Sequence, residues 1–220
     1  MPEVIHEHSK DKVFTTFWNS RQHEKKWAGG VVYSVLMFQL SNYSKSTAVF
    51  KNQSKKHHSE EKAITFLREK LREMSLPSQT IRWFVNYSPC RKCSDTINEF
   101  IREARTDYHV TIKVNMTFPF LYRIRTPSCE ELLHSHLQSV SQCEHQRNVE
   151  GLEDLERNGV SVSTFRGKAD WEELSRILSV EHLSHPFLYH GTTRQTEDDV
   201  LRKDFRRLLH LSPSLSEGEC

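Results

Sequence analysis

The chain has 220 residues and a mass of 25.9 kDa, with 36% hydrophobic and 27% charged residues, which is the size and composition of one folded domain. A net charge of +2 and a mean hydropathy of -0.67 argue against a disordered chain and against an integral membrane protein. The longest apolar run, residues 31–40, has about half the length of a bilayer span. Because no secretory signal is evident, we expect a cytoplasmic or nuclear protein without a membrane partner.

The first half of the chain alternates between helical and extended patterns. Continuous apolar runs, or β-branched and aromatic residues, predict strands at 31–40, 47–50 and 80–87. Apolar residues at helical spacing predict helices at 13–18, 60–74 and 90–104. The last of these helices begins with Cys90 and Cys93, and both side chains are expected on its inward face.

The second half continues the alternation. A period of two predicts a strand at 110–118, followed by a loop at 120–125, and Ser128 with Glu131 forms a capping box that predicts a helix. A helical segment ending at Asn158 and Gly159 follows. A further strand is predicted at 160–165, with helices at 171–178 and 198–209. The alternation predicts an α/β fold in which about six helices cover both faces of a mixed, five-stranded sheet.

One domain is predicted at residues 13–210, between flexible tails at 1–12 and 211–220. Two short motifs in it carry residues suited to chemistry. The first is His58-Ser59-Glu60, and the second runs from Pro89 through Cys90 to Cys93. Cysteines three residues apart in a first helical turn point the same way, and one histidine from a neighbouring helix completes three of four tetrahedral zinc ligands.

The open fourth position would hold a water whose pKa the zinc lowers, and Glu60 could then move protons from water to substrate. Either motif alone has ordinary explanations, such as a redox pair or half of a structural zinc site. In this order they match the H-x-E…P-C-x-x-C signature of zinc-dependent deaminases. His57 is a rival ligand, but His58 keeps the two-residue spacing to Glu60. We expect one Zn²⁺ per chain.

Residues 86–93, with the sequence NYSPCRKC, resemble the Ser-Trp-Ser-Pro-Cys-x-x-Cys motif of the AID/APOBEC polynucleotide cytidine deaminases. Residues 160–165 resemble the fifth strand of that family, and the resemblance spans roughly residues 13–209. It implies a cytidine deaminase-like three-layer sandwich. It also implies that His58, Cys90 and Cys93 hold zinc while Glu60 shuttles protons.

The resemblance implies a substrate pocket as well. Asn52 would correspond to the loop asparagine that contacts the target nucleotide, and Tyr87 stands where the family has tryptophan, beside Ser88. Phe120 would correspond to the aromatic residue that flanks the target base, with Tyr122 as the competing alignment. These side chains would hold a flipped base between aromatic faces.

Basic residues lie beside aromatic or apolar segments and could neutralise phosphates. The candidates are Lys25, Lys26, Lys55, Lys56, Arg123 and Arg125. Trp27 could stack a base next to two of them, although core packing is the alternative. Solvated surface is the alternative for the lysines and arginines. The expected partner is single-stranded DNA or RNA, bound by a monomer.

The connection at 121–148 is longer than its counterpart in the family, where this loop usually reads the base before the target. The resemblance therefore does not imply which neighbouring base this chain prefers. It contains metal-ligating side chains at Cys129, His134, His136, Cys143 and His145. A second metal site is one interpretation of them. An extra amphipathic helix that buries its cysteines as small hydrophobic residues is the other.

These observations predict a zinc-dependent hydrolase that converts cytosine to uracil in single-stranded nucleic acid, and the family favours DNA over RNA. Two alternatives stay open: a zinc-containing nucleic-acid-binding protein without activity, and a deaminase of free cytidine nucleosides or nucleotides. An intact Glu60 argues against the first. The C-terminal helices, which the shorter nucleoside deaminases lack, argue against the second. The resemblance further implies a role in DNA or RNA editing and immunity.

Overall fold

The computed structural model describes residues 7–19, 31–41, 44–52, 58–73, 77–126, 140–180 and 193–211. Five strands in this part of the chain form one sheet: β1 Tyr33–Ser41, β2 Ser44–Lys51, β3 Ser78–Val85, β4 Thr111–Phe118 and β5 Ser161–Thr164. Six helices accompany them: α1 Glu7–Asn19, α2 Ser59–Leu71, α3 Arg91–Thr106, α4 Gln142–Arg157, α5 Lys168–Leu178 and α6 Thr193–Leu211. None of these helices is long and apolar enough to cross a membrane.

The strands lie in the order β2-β1-β3-β4-β5, and the sheet is mixed, as predicted. β1 is antiparallel to both β2 and β3, whereas β3, β4 and β5 run parallel to one another. Each parallel connection contains a helix, because parallel neighbours require a long crossover. α3 joins β3 to β4, and α4 lies between β4 and β5. The carboxyl ends of β3 and β4 therefore meet at one edge of the sheet, beside the start of α3.

Two apolar layers cover the faces of the sheet, which confirms the predicted α/β sandwich. Leu36, Trp83 and Met116 point into the layer that contains the apolar sides of α2, α3, α4 and α6. Val35 and Phe84 point into the opposite layer, with α1 and α5. Neighbouring residues of β1 and β3 thus face opposite layers, as the pleat of a strand requires.

Two helices begin five or six residues earlier than the sequence predicts. α1 begins at Glu7 rather than Val13, and so includes residues assigned to the flexible tail; its later apolar residues Val13, Phe14 and Phe17 are buried, and Asp11 and Lys12 are exposed. α6 begins at Thr193 rather than Asp198, because Arg194 and Asp198 form a buried ion pair one helical turn apart. The first turns of both helices consist of polar residues, so the spacing of apolar residues does not reveal them.

The other boundaries agree with the predictions to within three residues, the largest differences being the start of β2, the end of α2 and the start of α5. The helical segment predicted to end at Asn158 and Gly159 is α4, for which Asn158 is the C-cap and Gly159 has a φ of 84°. Residues 120–125 form a loop, as predicted. The helix predicted to begin at Ser128 lies outside the described residues.

Candidate active site

The three predicted metal ligands come together where α2 and α3 begin. His58 is the N-cap of α2, Cys90 is the N-cap of α3, and Cys93 lies in the first turn of α3. Nδ1 of His58 is 3.1 Å from Sγ of Cys93 and 3.5 Å from Sγ of Cys90. All three ligand atoms lie within 4.8 Å of one another, and no second such group occurs among the described residues.

This donor set fits a zinc ion. An imidazole nitrogen and two cysteine sulfurs are ligands that zinc prefers, and a tetrahedral ion would hold such atoms roughly 3.5 to 4 Å apart. Both Cys90 and Cys93 are free thiols rather than disulfide partners. The group is therefore compatible with a metal site, and zinc is the ion that its chemistry favours.

The three predicted ligands differ in their pKa values. A hydrogen bond with Cys93, supported by another with His58, lowers the pKa of the Cys90 thiol to about 4. The hydrogen bond with Cys90 and burial raise the pKa of Cys93. The hydrogen bond with Cys90 raises the pKa of His58 to about 9, although partial burial opposes this. Metal binding near neutral pH would therefore release protons from His58 and Cys93.

Glu60 lies beside the ligand group without belonging to it. Its side chain is in the first turn of α2, and the residue is only 4% exposed. The hydroxyl of Ser59 donates to Oε2 of Glu60 at 2.9 Å, and the same hydroxyl is 3.0 Å from that of Ser34 on β1. Burial raises the pKa of the Glu60 carboxyl. A buried carboxyl with a raised pKa is suited to accepting and releasing a proton near neutral pH.

Glu61, which the sequence analysis did not single out, connects the two motifs. Its carboxylate accepts a hydrogen bond from the N–H of His58 at 3.0 Å and lies 2.6 Å from Nζ of Lys92 on α3. Burial would raise the pKa of Glu61, but the hydrogen bonds from Lys92 and His58 outweigh it and lower that pKa. Its position three residues after the N-cap is the capping-box signal that could have identified it.

Four predicted substrate residues lie together next to Cys90. The N–H of Ser88 donates to the carbonyl of Phe120 at 2.7 Å, and its hydroxyl accepts from the N–H of Tyr122 at 2.8 Å. The rings of Tyr87 and Phe120 have centroids 6.0 Å apart. Phe120 is only 2% exposed, whereas Tyr87 and Tyr122 are half-buried. Exposure thus favours Tyr122 over Phe120 as the ring that a base could reach.

The remaining described candidates contact other parts of the chain. The side-chain carbonyl of Asn52, at the end of β2, accepts from the N–H of Val32 at 3.0 Å. Arg123 pairs with Glu144 at 2.7 Å, and the guanidinium of Arg125 donates to a backbone carbonyl just before α4. Their proposed contacts with a nucleotide stay predictions.

Several predicted residues lie outside the described part of the chain. They are Lys25, Lys26, Trp27, Lys55, Lys56, His57, Cys129, His134 and His136. Of the possible second metal cluster, Cys143 is a free, half-buried thiol, and Nδ1 of His145 accepts from the N–H of Arg125 at 3.1 Å. The second metal site therefore stays a prediction.

Two further side chains support the site, and no local pattern in the sequence marks them. Asn148 on α4 contacts the first turn of α3 and the backbone of Tyr122. The guanidinium of Arg194 on α6 lies over the ring of Phe120, 4.7 Å from its centroid. Both residues are far along the chain from the motifs, so only the packing of α4 and α6 reveals them.

The sequence matches one family of known proteins. A family model described as APOBEC4-like AID/APOBEC deaminase matches residues 19–171, well over half of the chain. Among solved structures, the apo dCMP deaminase from the cyanophage S-TIM5 is 15% identical, with a TM-score of 0.31 and coverage of 73% of this chain and 100% of that one. The same enzyme in complex with dCMP and dUMP is 17% identical, with a TM-score of 0.31 and coverage of 73% and 99%. No curated protein matches the sequence significantly.

Proposed function

This chain belongs to the AID/APOBEC deaminases, and from that premise we propose that it converts cytosine to uracil in single-stranded nucleic acid, DNA more readily than RNA. The reaction replaces the exocyclic amino group of cytosine with an oxygen from water and releases ammonia. Zinc, held by His58, Cys90 and Cys93, would supply the Lewis acid that lowers the pKa of the attacking water.

The buried carboxyl of Glu60 is the observation that carries this proposal. A buried carboxylate that served only the fold would usually be paired with a cation. Within the described residues no lysine or arginine pairs with Glu60, and the hydroxyl of Ser59 donates a hydrogen bond to it. The charge of His58 also lowers the pKa of Glu60, but metal binding would remove that charge. Burying such a group costs free energy, so its place beside the metal ligands requires another use. Glu60 is positioned to accept one proton from the attacking water and deliver it to the ring nitrogen, and then to transfer the second proton of that water to the leaving amine.

A polymer substrate is favoured over a free nucleoside by two features. The chain continues beyond β5 into α5 and α6. The family resemblance associates such C-terminal helices with polynucleotide deaminases, whereas the shorter nucleoside deaminases lack them. Tyr87 and Tyr122 offer half-buried rings close to Cys90, and such rings can stack against a base that has left its strand. Moving a base out of its strand costs the least free energy when the base is unpaired, which favours single-stranded substrates.

The proposal is tested with purified, zinc-loaded protein and three substrates of matched cytosine content: single-stranded DNA, the same sequence in RNA, and free cytidine or dCMP. Uracil should appear in the DNA and less in the RNA. Glu60→Gln keeps the volume of the side chain but cannot carry the proton, so uracil production should fall at least about a hundredfold. Zinc content and strand affinity should remain unchanged in that variant.

Glu69→Gln is the matched control, because Glu69 is an exposed glutamate of the same helix. It should retain wild-type activity. Uracil from free cytidine alone would identify a nucleotide deaminase. Strand binding without any uracil would identify a binding protein that keeps the metal for folding.

A further inference from the structure

A buried amide on α4 joins the metal-binding helix to the aromatic loop. Asn148 is 4% exposed, and its Oδ1 accepts a hydrogen bond from the N–H of Arg91 at 3.0 Å. Its Nδ2 donates to the carbonyl of Tyr122 at 3.2 Å. One partner can only donate and the other can only accept, so these contacts fix the orientation of the amide. The side chain is thus committed to two backbone groups, one on each side of the site.

The backbone of Tyr122 is consequently held from two directions. Its N–H donates to the hydroxyl of Ser88, two residues before Cys90, and its carbonyl accepts from Asn148. Arg91, the other partner of Asn148, directly follows Cys90. The backbone of Tyr122 is therefore connected to Ser88, before Cys90, and through Asn148 to Arg91, after Cys90.

A close approach of α4 to α3 makes this possible. Gly151 lies one turn after Asn148 on the same side of α4. A Cβ atom at position 151 would lie 3.0 Å from Oγ of Ser94 and 3.2 Å from Cα of Arg91. The absence of a side chain lets α4 lie directly against the first turn of α3, within reach of the short side chain of Asn148.

We propose that Asn148 is a positioning residue that sets the place of the Tyr122 ring beside Cys90 and so determines how tightly the target base is held. This inference rests on the proposed function. The alternative is a purely structural role, in which Asn148 caps α3 by accepting from one of the N–H groups that a helix start leaves without a partner. The two roles use different atoms of the amide, so they can be separated.

Asn148→Asp separates them. An aspartate keeps the acceptor toward Arg91, and a helix N-terminus favours negative charge, so the cap of α3 is preserved. It loses the donor toward Tyr122 and places a carboxylate oxygen against a carbonyl. We expect faster amide hydrogen exchange in residues 119–126, with unchanged exchange in the first turn of α3 and unchanged zinc content. KM for a single-stranded cytosine substrate should rise about five- to tenfold with little change in kcat, because a less firmly placed Tyr122 ring weakens substrate binding without changing the chemical step.

Asn158→Asp is the matched control. Asn158 also donates from Nδ2 to a backbone carbonyl, that of Asp154 at 2.7 Å, but at the exposed far end of α4. It should leave KM and the exchange of residues 119–126 unchanged.

Two results would overturn the inference. Wild-type exchange in residues 119–126 together with a wild-type KM would show that the amide does not hold Tyr122. Loss of zinc or faster exchange at the start of α3 would assign Asn148 the structural role. If the wild-type protein makes no uracil from any substrate, the proposed function fails, and the exchange of residues 119–126 still decides whether Asn148 holds the loop.

Discussion

Each predicted metal ligand lies at the start of a helix, and this placement has consequences that single substitutions can test. His58 and Cys90 are N-caps, and Cys93 is one turn into α3. Backbone N–H groups at such positions favour negative charge nearby. The same effect favours the thiolate of Cys90, whose pKa is already lowered to about 4 by its hydrogen bonds. The backbone therefore favours the thiolate form of Cys90, which is the form that binds a metal ion.

Cys90→Ser should reduce the zinc content from about one ion per chain to near zero, because a serine hydroxyl is a poor replacement for a thiolate ligand. Metal binding stabilises the folded state, so the melting temperature should fall as well. A chelator should lower the melting temperature of the wild type but not of the variant. Elemental analysis and thermal unfolding measure these effects.

Cys143→Ser is the control for that substitution. Cys143 is a free, half-buried thiol outside the ligand group. Its replacement should leave one zinc per chain. A wild-type content of two zinc ions that falls to one in Cys143→Ser would instead establish the second metal site.

At the level of helices, the contact between α3 and α4 depends on Gly151. An alanine there gains up to about 1 kcal/mol in helix propensity. Its Cβ would press on the backbone of Arg91, however, which cannot move without shifting Cys90. We expect Gly151→Ala to lower the free energy of unfolding by about 1 to 2 kcal/mol, measured by urea denaturation.

Ser94 provides the check on this mechanism. Its Oγ is the atom nearest to the added Cβ, and it is buried without a hydrogen-bond partner among the described residues. Ser94→Ala alone should therefore be close to neutral. The double variant Ser94→Ala/Gly151→Ala should recover part of the stability lost in Gly151→Ala. A Gly151→Ala protein more stable than wild type would show that the two helices can separate freely.

The last helix is attached through Arg194. Its Nε donates to Asp198 at 2.9 Å, and its guanidinium lies over the rings of Phe120 and Trp171. Asp198 also accepts from Nε1 of Trp171 at 2.8 Å. Arg194→Met should cost about 3 to 5 kcal/mol in urea unfolding, because it leaves a buried carboxylate without its cation.

Removing the charge of the partner should reverse much of that loss. In Arg194→Met/Asp198→Asn position 198 is neutral, and the asparagine can still accept from Trp171. Glu197, which also pairs with Arg194 at 3.2 Å, keeps its charge, so the recovery should be partial. The double variant should therefore be more stable than Arg194→Met. If the two variants are equally unstable, packing on Phe120 rather than charge is what Arg194 provides.

At the scale of the whole molecule, patterns within short segments were sufficient to predict the sheet and the group formed by His58, Cys90 and Cys93. The alternation of Ile112, Val114 and Met116 with polar residues identified β4, and the spacing of Cys90 and Cys93 identified one side of the site. The supporting contacts could not be predicted in this way, because they join residues that are far apart in the chain. Asn148 contacts residues 26 and 57 positions away, and Arg194 reaches a carbonyl 75 positions away.

Binding to nucleic acid is a property of the whole surface and is tested by salt. Four lysines that lie outside the described residues are predicted to bind phosphates: Lys25, Lys26, Lys55 and Lys56. Reversing their charge should weaken binding to single strands of any sequence. It should also reduce the slope of log affinity against log salt by about 0.7 for each phosphate that the variant no longer neutralises.

Four exposed basic residues serve as the control. They lie at the C-terminal ends of α2 and α3, away from the predicted ligands, and at the start of β4. They are Arg72, Arg102, Arg105 and Lys113. Reversing these charges changes the net charge equally, so a comparable loss of affinity would indicate a nonspecific effect of total charge.

The hydrogen bond between Tyr122 and Asn148 also bears on how this protein can evolve. The chain leaves the site at Tyr122 and returns at Asn148, and these two points are in contact. Arg125 and His145 make a second contact between the outgoing and returning segments. Closing a longer loop between fixed ends adds only about 0.6 kcal/mol for each doubling of its length. Insertions and deletions between these anchors can therefore accumulate with little effect on the catalytic geometry, which leaves this connection open to acquire new recognition properties.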